Sequence, residues 1–195
     1  MPVVTALRAR RPSRVIVELD GTTWRTLPAE PVVRAGLRVG CELDRPTARR
    51  LARELRRFEA FAVAGRSLRH GDLSSQALEA RLRRAKVAEA TGRQAVEALE
   101  RAGVVDDRRF AVARASALAG RGYGDVAIRD DLERRGISGG LLEEALAELE
   151  PEADRARELV RRRGANAKTA RLLAARGFGG DAVEAAFGTD FANSP

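Results

Sequence analysis

A short phrase recurs along this chain and limits what it can fold into. LRRAKV at 82–87, LERRGI at 132–137 and LAARGF at 173–178 stand 50 and then 41 residues apart. Each is followed by a segment ending Ala98-Leu99, Ala145-Leu146 or Ala186-Phe187. Fixed-order similarity at such periods marks tandem helical units, each too small to bury its apolar face alone. The expectation is an all-α tandem array of three three-helix repeats, elongated and curved, over residues 45–103, 104–150 and 151–187. A small β-hairpin module at 14–44 precedes it, residues 1–13 are a disordered basic N-terminus, and 188–195 form a frayed tail.

Local signals place the elements. Val15, Val17 and Leu19 alternate, Asp20-Gly21 supplies a hairpin turn, and Trp24 to Leu27 makes a second short strand. Two strands alone are barely stable, so Trp24 is expected as the apolar anchor of the module, beside a short helix at 29–35 closed by Gly36. Asp44 caps a long helix toward Arg69 with Leu51, Leu55, Phe58, Phe61 and Ala62 as its apolar stripe and Gly65 as a possible break. Ser74 or Ser75 caps the next helix, and Thr91 with Gln94 makes a capping-box pattern for the third.

The central repeat says most. Asp106 or Asp107 caps a helix whose stripe is Phe110, Ala113, Ala117 and Leu118. Gly120, Gly122 and Gly124 then form a corner, since glycine tolerates turn conformations. A second helix runs from Asp125 through Ile128 and Leu132 to Gly136, and a third carries Leu142, Ala145, Leu146 and Leu149. Ala156, Leu159 and Val160 open the last repeat, which restarts near Asn166 and ends with an Asp181–Glu184 capping box before Phe187.

Charge is segregated. The net charge is +8. Residues 45–86 carry 12 basic against 4 acidic side chains, 125–154 carry 3 against 10, and 155–176 carry 8 against 1. Two basic stretches suit a polyanion or an acidic protein groove. Aromatics are only 4%, too few for the base-stacking platforms of typical single-strand binders.

Catalysis finds no support in the motifs. His70 lies alone in a turn, Cys41 has no second cysteine, and the glycine corner lacks the G-x-x-x-x-G-K-[ST] pattern of a phosphate loop. Ser67, Ser116 and Ser138 have no His or Lys partner at a recognisable spacing. Asp130 and Asp131 have Arg134 and Arg135 within pairing reach, which favours surface ion pairs over a metal site. The expectation is no enzyme, no cofactor and no metal. Neither a secretory leader nor a run of about 18 apolar residues occurs, so no membrane contact and a cytoplasmic location are expected. A tandem array gives no sequence reason to dimerise, and a monomer is expected.

The strings VVDDRRFA at 104–111, RGYG at 121–124 and IRDDLERRGI at 128–137, with Arg114 between them, resemble the central signature of the RecX family, bacterial regulators of the RecA recombinase. The resemblance extends more weakly from about Arg14 to about Phe187, and the hairpin with AGLRVGCEL after it resembles an extension found in a subset of the family. It implies a tandem three-helix array that binds RecA, lodges along the groove of its nucleoprotein filament, and restrains ATPase, strand exchange and SOS coprotease functions. The partner is then the RecA filament, with single- or double-stranded DNA as a further ligand through phosphate contacts. The residues expected to carry binding are Arg108, Arg109, Arg114, Arg121 and Arg129 in the central repeat, Arg81, Arg83 and Arg84 in the first, and Lys168, Arg171 and Arg176 in the third. Phe110, Leu132 and Ile137 match the signature as core residues. The first repeat departs from the pattern by carrying Lys86 where the others have Gly136 and Gly177. The alternative is a basic helical protein that binds DNA without RecA.

Overall fold

A computed structural model describes residues 1–10 and 12–188. Three strands, β1 (Val4–Arg10), β2 (Arg14–Leu19) and β3 (Thr22–Pro28), precede α1 (Ala29–Arg34) and α2 (Arg45–Leu68). There follow α3 (Ser75–Arg84), α4 (Glu89–Arg101), α5 (Asp107–Gly120), α6 (Asp125–Glu133), α7 (Gly140–Ala147), α8 (Glu152–Arg163), α9 (Ala167–Ala175) and α10 (Gly180–Phe187). The described residues form two compact units, Met1–Gly71 with Glu79–Ala98, and Asp72–Leu78 with Leu99–Gly188. The expected tail falls, beyond Gly188, outside the described residues.

In the first unit the strands form one antiparallel sheet in the order β1-β2-β3. Asp20 (φ 48°) and Gly21 (φ 81°) make the β2–β3 turn, as two consecutive left-handed residues should in a tight hairpin. The expected disordered N-terminus, 1–13, is corrected over residues 4–10, where β1 pairs with β2 from Val4↔Leu19 to Arg10↔Arg14. A register shift between Val4 and Ala6 breaks the alternation by which a strand is recognised. The module is thus a three-stranded sheet and not a bare hairpin, and this third strand supplies the stability that two lack. Val4, Val17, Leu19, Leu27, Val32, Leu37 and Leu51 form its core, so the first turns of α2 belong to the same core as the sheet. Trp24 is not the anchor. Between Val17↔Arg25 and Glu18↔Thr23 strand β3 holds one extra residue, and that residue, Trp24, is turned out to 38% exposure with the Arg25 guanidinium 5.3 Å from its ring.

Helix α2 starts as its sequence predicts, with Asp44 accepting from the Thr47 N–H at 2.8 Å. It runs through Gly65 without a break. Its buried face changes along its length, from Thr47 and Leu51 to Ala60 and Ala64, which is why one apolar stripe does not describe it. Helix α4 begins at Glu89, so Thr91 lies within the first turn and caps nothing; Gly92 is buried there beside Leu82 and Val87.

The second unit holds the central and last repeats. α5 packs on α6 and α7, and α8 on α9 and α10. Phe110, Ala111, Ala115, Leu118, Ile128, Leu132, Ile137, Leu142 and Ala145 form the central core; burying a side chain such as Leu132 contributes about 1.5–3 kcal/mol. The α5 stripe is corrected by one step: Ala111 and Ala115 face in, whereas Ala113 and Ala117 are exposed. Alanines lie on two opposite sides of this helix, so apolar spacing alone could not choose its inner face. Ala156, Val160, Leu173 and Phe178 form the last core. α10 starts one residue before Asp181, with Gly179 as its N-cap and no side-chain cap of its own, so the expected Asp181–Glu184 box does not form.

Candidate interaction surface

The two seams in the second unit repeat one joint. At the first, Asp107, which opens α5, accepts from the Ser75 N–H (2.7 Å) and hydroxyl (2.6 Å) at the start of α3. Ser74 donates to the Arg135 carbonyl at 2.5 Å. At the second, Glu152, which opens α8, accepts from the Asp125 N–H at the start of α6 at 2.6 Å, and the Gly124 and Val126 N–H groups donate to the carbonyls of Arg176 (2.9 Å) and Gly177 (3.1 Å). In both, the first helix of one repeat caps the second helix of the repeat before it, satisfying donors that a helix start leaves free. Asp106 keeps the other role and caps its own helix through the Arg109 N–H at 2.9 Å.

The geometry at the joint explains the recurring glycine. A Cβ on Gly136 would lie 2.2 Å from the Gln76 side chain, one on Gly177 2.6 Å from the Ala127 backbone, and both glycines have positive φ. Lys86 takes the same left-handed conformation at φ 62° and is exposed.

Contacts within the central repeat, and at its joint with the last, take up several of the expected binding arginines. Arg114 forms a paired contact with Asp131 at 2.7 and 3.0 Å, and Arg135 reaches the same carboxylate at 2.8 Å. The hydrogen bond from Arg114 holds the Asp131 carboxyl far below the ordinary carboxylate range, with Arg135 adding to it against the opposing effect of burial. Arg108 bridges to Glu144 at 3.1 Å and Glu148 at 3.5 Å. Arg129 pairs with Glu143, which raises its pKa through that hydrogen bond. Arg109 donates to the Gly103 and Val104 carbonyls at the end of α4. The guanidinium groups of Arg121 and Arg176 lie 5.8 and 5.7 Å from the centre of the half-exposed Tyr123 ring, and Arg176 donates to the Arg121 carbonyl at 2.8 Å.

A different set stays free among the described residues. Arg81, Arg83 and Arg84 are exposed on the last turns of α3, and Lys168 and Arg171 are exposed on α9. Lys168 and Arg171, with Arg163, Asn166, Thr169 and Leu172, line an open groove of about 420 Å³. Arg163 was not singled out by sequence, though helix spacing does pick it out: Glu158 takes Arg161 and Arg162 at i+3 and i+4, leaving the third arginine of the triplet unpaired. Arg155 was missed as well. Only 9% exposed, it pairs with Asp125, donates to the Tyr123 and Glu150 carbonyls at 2.9 Å each, and lies 5.9 Å over the Phe178 ring. Two of its partners, Tyr123 and Asp125, are 32 and 30 residues upstream, beyond any local spacing rule. His70 is exposed, no group of three or more potential metal-ligating side chains occurs among the described residues, and no described helix is long and apolar enough to cross a membrane.

The fold and its surface define a tandem three-helix-repeat protein with arginine-rich ends. Residues 106–146 match the RecX second three-helix domain. The regulatory protein RecX of Trichlorobacter lovleyi is 32% identical over 109 residues, which cover 54% of this chain and 71% of that protein. That of Xanthomonas axonopodis pv. citri is 39% identical over 102 residues, 47% of this chain. The chain spans 63% of the length of the Xanthomonas relative. A crystal structure of a regulatory protein RecX superposes with a TM-score of 0.79 at 19% identity, covering 95% of this chain and 98% of that one. RecX from Lactobacillus salivarius gives 0.58 at 17% identity over 66% of this chain and 92% of its own. The chain belongs to the RecX family of regulatory proteins.

Proposed function

We propose that this protein binds the RecA recombinase and its nucleoprotein filament and restrains ATP hydrolysis, strand exchange and coprotease activity. The observation that carries the reading is the match of residues 106–146 to the RecX central domain. It acts by occupancy, as a monomer in the cytoplasm, and catalyses nothing. Successive repeats contact successive filament subunits and bias the filament toward an inactive or disassembling state.

Paired and free cations divide the work. Arg108, Arg114 and Arg129 already hold carboxylates of their own repeat, so they serve the filament chiefly by keeping the repeat rigid. Arg81, Arg83 and Arg84 on α3, and Lys168 and Arg171 on α9, have no intramolecular partner to give up before meeting an acidic protein surface or a phosphate. Binding through them costs less desolvation of existing pairs. Tyr123, with Arg121 and Arg176 against its ring, gives the central repeat an aromatic contact of the kind enriched at protein interfaces.

Cosedimentation with RecA assembled on single-stranded DNA tests this. The wild-type protein is expected in the pellet in proportion to filament. Charge reversal of Arg81, Arg83 and Arg84, or of Lys168 and Arg171, is expected to weaken that binding by at least about tenfold, as for desolvated charge contacts. A wild-type protein that stays in the supernatant at any filament concentration would overturn the reading.

A further inference from the structure

Helix α2 carries a set of cations that neither the fold nor the proposed RecA contacts use. At 3.6 residues per turn, Arg45, Arg49, Arg50, Arg53, Arg56 and Arg57 fall within one arc of roughly 140°, and all six are exposed. The opposite side of this stretch holds Thr47 and Leu51, buried against the sheet module. The row from Arg45 to Arg57 rises about 18 Å, with one arginine per turn or better.

These arginines differ from those of the central repeat in having almost nothing to hold. Arg45, Arg49 and Arg56 have no partner among the described residues. Arg50 donates to the Thr47 hydroxyl at 3.0 Å and lies within the field of the capping Asp44 carboxylate, Arg57 lies 5.6 Å over the Phe61 ring, and Arg53 stands 3.8 Å from Glu54. Arg45, Arg49, Arg53 and Arg57 follow at i,i+4, and Arg50, Arg53 and Arg56 at i,i+3, so like charges face each other along the arc and work against the helix. The one carboxylate at the helix start, Asp44, is taken up by capping the Thr47 N–H at 2.8 Å, and no acidic residue follows in the first turn. An arrangement unfavourable to the isolated helix is satisfied by a ligand that supplies negative charge at the same linear spacing.

The chemistry of the arc selects the ligand. Protein interfaces bury an apolar centre with aromatic anchors and deplete it of charge; within the arc, Pro46 is the one other exposed side chain. A row of guanidinium groups without an apolar centre fits a regularly spaced polyanion, where arginine makes paired hydrogen bonds to phosphate oxygens. Such contacts position a backbone and carry no base sequence.

We propose that the exposed face of α2 between Arg45 and Arg57 is a phosphodiester-binding surface that engages nucleic acid independently of sequence. It requires no RecA contact, so it is tested without RecA. The probe is fluorescence anisotropy of the full chain with a labelled oligothymidylate and a labelled mixed-sequence duplex, each titrated at several KCl concentrations. The variants are Arg45→Ala/Arg49→Ala/Arg56→Ala and the matching triple lysine substitution. Alanine is the strongest helix former, so the alanine variant keeps α2, which circular dichroism verifies.

Binding of the wild type is expected to fall linearly with log salt. The alanine variant is expected to lose about 2 units of that slope on the single strand, and about 3 on the duplex, since each phosphate contact contributes about 0.7 or 0.9. Its affinity at low salt falls by about tenfold or more, while the lysine variant keeps the slope. An unchanged slope and affinity in the alanine variant, or no binding by the wild type to either oligonucleotide, would overturn the proposal. So would an alanine variant that binds both oligonucleotides normally but fails to bind RecA free of DNA, because the arc would then be a protein contact.

Discussion

Asp131 accepts from two arginines that come from different directions, Arg114 on the preceding helix and Arg135 in the turn that follows its own. With its side chain only 15% exposed, removing its charge leaves Arg114 without a counter-ion inside the repeat. Asp131→Asn is expected to destabilise the second unit by about 1.5–3 kcal/mol, the range for hydrogen bonds to charged groups, measured by urea denaturation at neutral pH. Because the folded carboxyl is held below its unfolded value, its contribution is complete above the unfolded pKa of about 3.9 and is lost as pH falls toward the folded one. The gap between wild type and variant should therefore shrink on acidification below about pH 4. A gap that is constant from neutral to strongly acidic pH would contradict the assignment. Half of this cluster was legible in the sequence, because Asp131 and Arg135 stand four apart, the spacing of a helical ion pair. Arg114 was legible only as part of a family signature, which gives a residue but not its partner, and so suggested a binding role for a side chain that braces the repeat.

Between elements, the recurring joint decides which glycines matter. Gly124 has an ordinary negative φ, yet a Cβ there would lie 2.3 Å from both the Gly177 carbonyl oxygen and the Phe178 nitrogen. Backbone cannot swing away as a side chain can. Gly124→Ala should therefore cost about 1–3 kcal/mol by overpacking. At Gly120, the last residue of α5, nothing stands within 4 Å of an added Cβ, so Gly120→Ala should be neutral or stabilising by up to about 1 kcal/mol. Thermal melts of the two variants test the pair, and equal effects would contradict the account of the joint. The sequence marked all three corner glycines alike, since a turn signal does not reveal which residue meets a backbone 53 positions later. Strand β1 was lost for a related reason: its pairing partner is close in sequence, but a register shift scrambled the period that identifies a strand. The same joint explains why the first repeat departs from the phrase. No repeat precedes it to pack on Lys86, so that position tolerates a Cβ where Gly136 and Gly177 do not.

At the level of the whole chain, charge segregation and helical recurrence were both legible, because each is a property of composition and period that tertiary contacts do not erase. What could not be read was which cations are spent internally. The acidic stretch 125–154 supplies Asp125, Asp131, Glu143 and Glu144 to arginines of the second unit, while the basic stretch 45–86 has only four acidic residues to offer. Free positive charge is thereby concentrated on α2, the end of α3 and α9. The decisive experiment is single-stranded-DNA-stimulated ATP hydrolysis by the cognate RecA, titrated with this protein. Suppression is expected well below one molecule per RecA subunit, abolished by charge reversal of Arg81, Arg83 and Arg84 but retained when Arg108 is replaced by alanine. Undiminished hydrolysis at equimolar protein, with the chain shown to be folded, would contradict it.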